Sequence, residues 1–333
     1  MTDIRMGVVG AGALGFHHVR ILRDLPGVAF AGFHEANAER AAHVARELGV
    51  AAFPSVEALF DVVDAATIVV PTPAHFAVAK AGLERGKHLL IEKPIATTLA
   101  EADELVAIAQ RTGALIQTGH VERFNRAIRA ALPYVDQPRF IESDRLAPFN
   151  PRGSDVAVVL DLMIHDIDLV RTLVGGAISG LRAVGIPVLT PFVDIANARI
   201  EFASGAVANI TASRVSRERM RKLRIFQGSG YLSLDLAAGT GEFYRLRTDV
   251  DLAELAKAAT SVEAFVERVP LEAPEGEPLR LEFESFLQAV RGEAPVMVSG
   301  VDGREALAVA LRIVGEIERT LPALRGAGAR AGA

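Results

Sequence analysis

The first 120 residues alternate short runs of β-branched residues with longer, alanine-rich amphipathic stretches. This alternation predicts strands with helices between them, as in the βαβ units of a parallel sheet. Because the predicted strands lack polar alternation, we expect helices to cover both faces of that sheet. The predicted strands are Ile4–Val9, Val28–Phe33, Ala66–Val70, His88–Ile91 and Leu115–Thr118.

Two of the intervening helices carry signals for their ends. One runs from Leu14 to Leu25 and stops at Pro26-Gly27, a pair that does not continue a helix. Another begins at Thr98-Leu99-Ala100-Glu101, which has the form of a capping box, and continues to about Thr112.

After about Glu122 the pattern changes to a short helix, followed by strand-like runs joined by glycine-containing turns. The turns at Ser204-Gly205 and Gly228-Ser229-Gly230 predict antiparallel neighbours. Helical faces return at Leu279–Val290 and Asp302–Leu321, so this part is predicted to be α+β, with a largely antiparallel, open-faced sheet. Its predicted strands are Phe140–Arg145, Ala196–Phe202, Ala206–Ser213, Leu223–Gln227 and Tyr231–Leu236.

These changes divide the chain into a doubly wound α/β domain at 1–121 and an α+β domain at 122–323. The last predicted helix, at 302–321, is expected to pack back and close the structure. Residues 325–333 contain only Arg, Gly and Ala. We expect the tail at 324–333 to be disordered, because it can bury nothing.

Composition narrows the range of functions. Lys and Arg number 36 against 41 Asp and Glu, giving a formal net charge of −5 and a pI near 6.0, so we expect neither nucleic acid nor a membrane as a partner. The chain has no cysteine, which excludes disulfides, thiolate nucleophiles, iron–sulfur clusters and cysteine zinc sites; we expect no metal. No apolar run reaches about 18 residues and no signal peptide is visible, which predicts a cytoplasmic protein.

The segment Gly10-Ala11-Gly12-Ala13-Leu14-Gly15 follows the first predicted strand and opens the first helix. Its GxGxxG spacing predicts a Rossmann turn, in which backbone amides and the helix dipole hold a pyrophosphate. Glu35, at the tip of the second predicted strand, would bind the adenosine ribose and repel the additional phosphate of NADP, so NAD is the expected cofactor and NADP is less favoured. A glycine turn without a ligand and a solvated carboxylate are the alternatives, and His34 leaves the preference between the two cofactors open.

Two further segments follow predicted strand ends, where doubly wound sheets bind their ligands. Pro71-Thr72-Pro73 and His75 are expected to line the cofactor cleft, although His75 fits equally well as a polar residue early in a helix. Glu92-Lys93-Pro94 follows an apolar run, so Glu92 and Lys93 are also expected at the cofactor. An ammonium there can bond a substrate hydroxyl and stabilise the oxyanion that forms as hydride leaves. A surface lysine paired with Glu92 is the alternative.

These motifs, together with the run Asp161-Leu162-Met163-Ile164-His165-Asp166, resemble the glucose-fructose oxidoreductase / inositol dehydrogenase / rhizopine catabolism (Gfo/Idh/MocA) family. The similarity spans nearly the whole chain and is specific to the family rather than to one substrate. It implies a nicotinamide-dependent oxidoreductase and a homo-oligomer, a dimer or tetramer, that pairs through the second sheet. We expect that sheet to carry apolar residues on both faces, and such sheets seldom stay exposed to water.

In that family a lysine of the Glu-Lys-Pro motif and an aspartate and histidine four residues apart form the catalytic group, which implies Lys93, Asp161 and His165. Positions i and i+4 share a helix face, so Asp161 can orient His165, the base that removes the hydroxyl proton. Asp168 falls on nearly the same stripe, whereas Asp166 points elsewhere. The alternative for Asp161 and His165 is an ion pair on a helix surface.

The segment Gly119-His120-Val121-Glu122-Arg123-Phe124-Asn125 joins the two predicted domains. It is similar to the UDP-N-acetylglucosamine 3-dehydrogenase branch of the same family. The resemblance implies that Arg123 pairs with a diphosphate and Asn125 with a sugar hydroxyl or amide. Arg123 also fits as a helix-start residue that makes local ion pairs, and no dedicated uridine-binding element is identifiable.

The expected function is an NAD-dependent dehydrogenase that oxidises a secondary hydroxyl of a sugar, C3 of UDP-N-acetylglucosamine, to a ketone. Two alternatives stay open: a dehydrogenase of a free polyol or monosaccharide, and a non-catalytic NAD-binding sensor. The residues expected to bind the small-molecule substrate are Lys93, His120, Arg123, Asn125, Asp161 and His165.

Overall fold

The computed structural model describes residues 3–151, 153, 156–247 and 265–328, and for 322–328 it describes the backbone alone. The chain forms two compact units. The first contains the residues up to Val121 and the range Gly276–Ala308, and the second contains Glu122–Glu275 and the chain from Val309 onward. Gly276–Ala308 thus belongs to the first unit, whereas the division based on sequence places it in the second.

The strands of the described residues fall into two sheets. In chain order they are β1 (Ile4–Val9), β2 (Val28–His34), β3 (Ala65–Ile68), β4 (His88–Glu92), β5 (Ile116–Gly119), β6 (Phe140–Leu146), β7 (Ile178–Ile186), β8 (Ile195–Phe202), β9 (Val207–Ser213), β10 (Met220–Gln227), β11 (Gly230–Asp235), β12 (Thr240–Leu246) and β13 (Val266–Pro270). The first sheet is parallel, with the order β2-β1-β3-β4-β5. All five predicted strands of this sheet are confirmed, with ends that differ by at most two residues.

The described α-helices are α1 (Ala13–Arg23), α2 (Ala38–Leu48), α3 (Val56–Phe60), α4 (Thr72–Glu84), α5 (Leu99–Thr112), α6 (Arg126–Ala131), α7 (Ile164–Val174), α8 (Pro278–Val290) and α9 (Gly300–Gly328). The predicted capping box of α5 is confirmed: the Thr98 hydroxyl accepts from the amide of Glu101, whose carboxylate accepts from the amide of Thr98.

The end of α9 corrects the prediction for the tail. Residues 325–328 are helical, whereas the composition predicts disorder from 324 onward. A helix that has already formed gains one hydrogen bond for each residue added, which offsets the low helix propensity of Gly326 and Gly328. Residues 329–333, for which disorder was also expected, lie outside the described residues.

The core of the first unit forms where α1 and α8 pack beside β1 and β2. Met6 and Val8 from the sheet, Leu22 from α1 and Phe283 and Phe286 from α8 are fully buried in one cluster. Because α8 comes late in the chain, the parallel sheet is completed by a helix that is distant in sequence.

The second sheet has the order β13-β12-β11-β10-β6-β9-β8-β7. The predicted antiparallel pairs β8–β9 and β10–β11 are confirmed, while β6 pairs in parallel with β9. Along β6, Ile141, Ser143 and Arg145 are buried and their neighbours are not. Helix α7 contacts β6 and β9, and helix α6 contacts β11 and β12. The sheet is therefore mostly antiparallel and covered by helices on one side, as predicted.

The opposite face of the second sheet is mixed rather than apolar. Phe140, Phe226, Tyr231 and Tyr244 form a row across neighbouring strands, with successive ring centroids 5.7, 5.2 and 4.8 Å apart. Beside this row the same face carries charged groups, including the Arg224–Glu142 ion pair. The expectation of a second apolar face is thus met in part, by the aromatic row and by the exposed Val184 and Ile186 on β7.

Candidate active site

The glycine turn between β1 and α1 leaves the N-terminus of α1 without a side-chain cap or an acidic residue in its first turn. Gly10 has φ of +94°, and a Cβ on Gly15 would lie 2.0 Å from the carbonyl oxygen of Gly10. A Cβ on Gly12 would meet no atom within 4 Å. Gly10 and Gly15 therefore build the turn, while Gly12 faces open space beside Ala13 and Leu14, where first-turn amides can hold an anion.

Glu35 lies directly beside this turn. Its Oε2 accepts a hydrogen bond of 2.7 Å from the amide of Ala11, and its Oε1 accepts one of 3.0 Å from the amide of Asn37. Arg40 donates to the carbonyl oxygens of Ala11 and Gly12. Nδ1 of His34 lies 3.0 Å from the carbonyl oxygen of Phe53, so His34 bonds to the backbone. The half-buried Glu35 carboxylate is thus held where the second strand meets the turn.

Pro71 and Thr72 follow β3 and form the start of α4. His75, one turn further on, is 2% exposed. Its Nδ1 lies 2.8 Å from the carbonyl oxygen of Pro94, and its Nε2 lies 2.9 Å from that of Val70. Burial lowers the pKa of His75 despite these two backbone carbonyls. Both ring nitrogens therefore contact the backbone, and His75 joins the start of α4 to the Glu-Lys-Pro segment rather than offering a nitrogen to a cofactor.

Glu92 and Lys93 lie at the carboxyl end of β4. Oε2 of Glu92 accepts from the Lys93 amide at 3.2 Å, and Oε1 lies 3.3 Å from Nε2 of His18 on α1. Burial alone would raise the pKa of Glu92, but the neighbouring His18 and Lys93 outweigh it and hold the pKa below its ordinary value. The carboxylate of Glu92 is therefore buried, which does not fit the alternative of a surface pair, and His18 is a neighbour that motif reasoning missed.

Asp161 and His165 lie in the second unit. Asp161 belongs to a π-helical turn, Val159–Met163, and His165 follows in the first turn of α7. The prediction of one regular helix is corrected here, because the π turn has a wider repeat; such turns are frequent at functional sites. Both side chains are half-buried. A Cβ on Gly153 would lie 2.7 Å from Oδ2 of Asp161, so the backbone of Gly153 packs directly against that carboxylate.

A buried ion-pair network lies beneath α7. Arg145 on β6 donates from Nε to Oδ2 of Asp166 at 2.6 Å and from Nη1 to Oε1 of Glu122 at 2.8 Å. The Ser143 hydroxyl also donates to Asp166. Burial alone would lower the pKa of Arg145, but the two carboxylates raise it instead. Sequence reasoning missed Arg145, although an arginine on the buried face of an alternating strand was a signal.

The structure gives Arg123 and Asn125 partners within the second unit. Arg123 donates two hydrogen bonds to Asp168. Asn125 is the N-cap of α6 and donates to Glu122 and to the carbonyl oxygen of Leu236. The guanidinium of Arg123 thus pairs with a carboxylate 45 residues further along the chain, and not with a local one at the helix start. His120, at the end of the first unit, is 1% exposed.

The described residues offer no group of histidine and acidic side chains that could hold a metal ion. No helix in that part of the chain is long and apolar enough to cross a membrane.

Comparison with known proteins identifies relatives along nearly the whole chain. Residues 4–120 match the model described as "Oxidoreductase family, NAD-binding Rossmann fold", and residues 129–233 match the "GFO/IDH/MocA C-terminal domain". UDP-N-acetylglucosamine 3-dehydrogenase of Acidithiobacillus ferrooxidans is 40% identical over 96% of this chain and 99% of its own length. The scyllo-inositol 2-dehydrogenase (NAD(+)) of Bacillus subtilis is 31% identical over 64% of this chain and 68% of its own length.

Solved structures agree with these relatives. The structure of UDP-N-acetylglucosamine 3-dehydrogenase from Acidithiobacillus ferrooxidans has a TM-score of 0.88, with 39% identity and coverage of 96% of this chain and 99% of that one. Levoglucosan dehydrogenase in complex with NADH and levoglucosan has a TM-score of 0.82 at 19% identity, covering 96% of this chain and 98% of that one. The second comparison supports the fold alone.

Proposed function

The chain belongs to the GFO/IDH/MocA oxidoreductase family, and from this premise we propose that it is an NAD-dependent dehydrogenase that oxidises C3 of UDP-N-acetylglucosamine to the 3-keto sugar. The main support for this substrate is the 40% identity to a UDP-N-acetylglucosamine 3-dehydrogenase over 99% of that protein's length. The match covers 96% of this chain and so includes residues of both units.

The residues of the first unit fit a dinucleotide. The uncapped N-terminus of α1 and the open space at Gly12 suit a pyrophosphate. Glu35 lies where an adenosine ribose would be bound, and its charge disfavours the additional phosphate of NADP. Arg40 donates to the backbone of the glycine turn. These positions support NAD as the preferred cofactor, and the bound nicotinamide would accept the hydride from the substrate carbon.

We assign the proton chemistry to three residues. His165 takes the proton of the substrate hydroxyl, and Asp161, one turn earlier, orients and supports the imidazole. The ammonium of Lys93 donates a hydrogen bond to the same oxygen and stabilises its developing negative charge.

The diphosphate is not assigned to Arg123, because that guanidinium is paired with Asp168. The assignment of a nucleotide-sugar substrate instead rests on sequence similarity along 96% of the chain. A polyol dehydrogenase is the second candidate, favoured by the 31% identity to a scyllo-inositol 2-dehydrogenase.

The proposed function is tested by incubating the purified protein with NAD and UDP-N-acetylglucosamine. NADH formation and a 3-keto product in mass spectrometry are expected. Turnover of inositol or a free hexose without turnover of the nucleotide sugar would favour the second candidate.

Variants test the assigned roles. Lys93→Met and His165→Asn are each expected to lower kcat by about 10²- to 10⁴-fold while NAD still binds. Lys80→Met, at an exposed lysine paired with Glu104, is the control. A Lys93→Met protein that behaves like the wild type in every assay would support the non-catalytic sensor instead.

The open face of the second sheet is proposed to pair with a second copy of the chain, as a dimer or tetramer. The aromatic row on that face supports this, because contiguous exposed apolar patches mark interaction sites. A monomer by light scattering at micromolar concentration would contradict it. We also propose that the enzyme is located in the cytoplasm. Cell fractionation would test this.

A further inference from the structure

We propose that His18 is a positioning residue for Lys93 and acts through the carboxylate of Glu92. The inference rests on the proposed function in one respect, that Lys93 contacts the substrate. It concerns a residue on α1 that belongs to neither the GxGxxG turn nor the Glu-Lys-Pro segment.

His18 is completely buried between three partners. Its Nδ1 lies 3.0 Å from Oγ1 of Thr67 on β3, and its Nε2 lies 3.3 Å from Oε1 of Glu92. The ring packs edge-on against Phe283, with centroids 5.2 Å apart. An ionised carboxylate only accepts hydrogen bonds, so we place the ring proton of His18 on Nε2, 3.3 Å from Glu92, and the Thr67 hydroxyl beside Nδ1. The imidazole therefore has one defined orientation.

Glu92 is confined on its remaining sides. Its Oε2 accepts the amide of Lys93 at 3.2 Å. The backbone of Gly119 on the adjacent strand packs against the carboxylate, since a Cβ there would lie 3.0 Å from it. The carboxylate thus links the His18 ring on one side to the Lys93 backbone on the other.

The segment is also held beyond Lys93. Nδ1 of His75 lies 2.8 Å from the carbonyl oxygen of Pro94. Buried imidazoles therefore contact the residues immediately before and after Lys93. An apolar residue at position 92 would avoid the desolvation of a buried charge. A carboxylate with these contacts instead fixes the backbone from which the Lys93 side chain extends.

Two substitutions separate positioning from general support of the core. The amide nitrogen of Gln reaches the Nε2 position of histidine, so His18→Gln keeps a donor toward Glu92. The amide of Asn reaches only the Nδ1 position, so His18→Asn keeps the contact with Thr67 and loses the one with Glu92. His43→Asn is the control, because His43 is an exposed histidine paired with Glu47 at 2.9 Å on α2.

The kinetic test compares these variants with NAD and UDP-N-acetylglucosamine. His18→Asn is expected to lower kcat by about 100-fold, since a small misplacement of a catalytic group has that effect, while the dissociation constant for NAD changes little. His18→Gln is expected to recover most of the lost kcat. Equal losses of kcat in both variants, parallel to equal losses in the free energy of unfolding, would overturn the proposal.

A second readout does not depend on turnover. The Lys93 amide, measured by NMR hydrogen exchange, is expected to exchange about tenfold faster in His18→Asn than in His18→Gln, because its acceptor is released. If the wild type oxidises no sugar but the exchange rates differ in this way, the proposed function fails and the His18–Glu92 link stands. Unchanged exchange at Lys93 in His18→Asn would overturn the link whether or not the enzyme is active.

Discussion

Arg123 donates two parallel hydrogen bonds to Asp168, from Nε to Oδ2 and from Nη2 to Oδ1, each 2.7 Å long. The side chain of Arg123 is 11% exposed and that of Asp168 is fully buried. The pair joins the segment Val121–Phe124 to α7, the helix that carries His165. Its geometry is the bidentate form in which arginine binds carboxylates most strongly.

We predict that Arg123→Ala destabilises the protein by about 3–5 kcal/mol, because it leaves the Asp168 charge buried without its partner. Denaturant unfolding measures the loss. The double variant Arg123→Ala/Asp168→Ala should lose less than the sum of the two single variants. An Arg123→Ala protein of wild-type stability with weakened binding of UDP-N-acetylglucosamine would instead restore the diphosphate role.

The glycine turn offers a matched pair of substitutions. We predict that Gly12→Ala changes the free energy of unfolding by less than about 0.5 kcal/mol, because Gly12 has φ of −60° and open space around it. The added methyl group should nevertheless weaken NAD binding severalfold by occupying the anion site. Gly15→Ala should destabilise the protein by about 3 kcal/mol, because its Cβ overlaps the carbonyl oxygen of Gly10. Calorimetry with and without NAD measures both the stability and the NAD binding of each variant. A Gly12→Ala protein that is strongly destabilised, together with a Gly15→Ala protein of wild-type stability, would refute this account.

Glu35 provides a test of cofactor preference. Glu35→Gln keeps the size of the side chain and removes its charge. We predict that the ratio of kcat/KM for NAD to that for NADP falls by about tenfold or more, since hydrogen bonds to a charged group are the stronger ones. Glu39→Gln, an exposed substitution in the first turn of α2, is the control. An unchanged ratio would mean that Glu35 only supports the Ala11 amide.

Asp194 makes stability depend on pH at the acid end. Its carboxylate accepts from the amides of Val188, Leu189 and Thr190 and lies 3.1 Å from Nε of Arg214. Burial alone would raise the pKa of Asp194, but these hydrogen bonds outweigh it and lower the pKa to about 2.

Because the folded pKa lies below the unfolded value of about 3.9, the unfolded state binds the proton first as the pH falls. We predict that about 2–3 kcal/mol of stability is present above about pH 4 and disappears between about pH 4 and pH 2. Asp194→Asn should remove this slope and be less stable at neutral pH. Asp61→Asn, at an exposed position, should leave the slope intact. Denaturant unfolding between about pH 2 and pH 4 measures this slope. If the free energy of unfolding of Asp194→Asn fell with pH as steeply as that of the wild type, the assignment to Asp194 would be wrong.

The sequence by itself determined the features that depend on neighbours along the chain. The strands of the first sheet, the capping box at Thr98 and Glu101, and the delivery of Lys93 to a strand end follow from local periodicity and capping chemistry. The same applies to the glycine turn, because the contact between Gly10 and Gly15 closes within six residues. Such features can be predicted from short segments, because they depend on the backbone conformation and hydrogen bonds of residues close together in the sequence.

Only the tertiary structure decided which charges and strands meet. The edge strands β7 and β13, whose burial alternates little, were not predicted from the sequence. The partners of Arg123 and Arg145 lie 45 and 21 residues away, and His18 meets Glu92 across the first sheet. A buried charge selects its partner by desolvation and geometry in the folded state, and no local pattern encodes that choice.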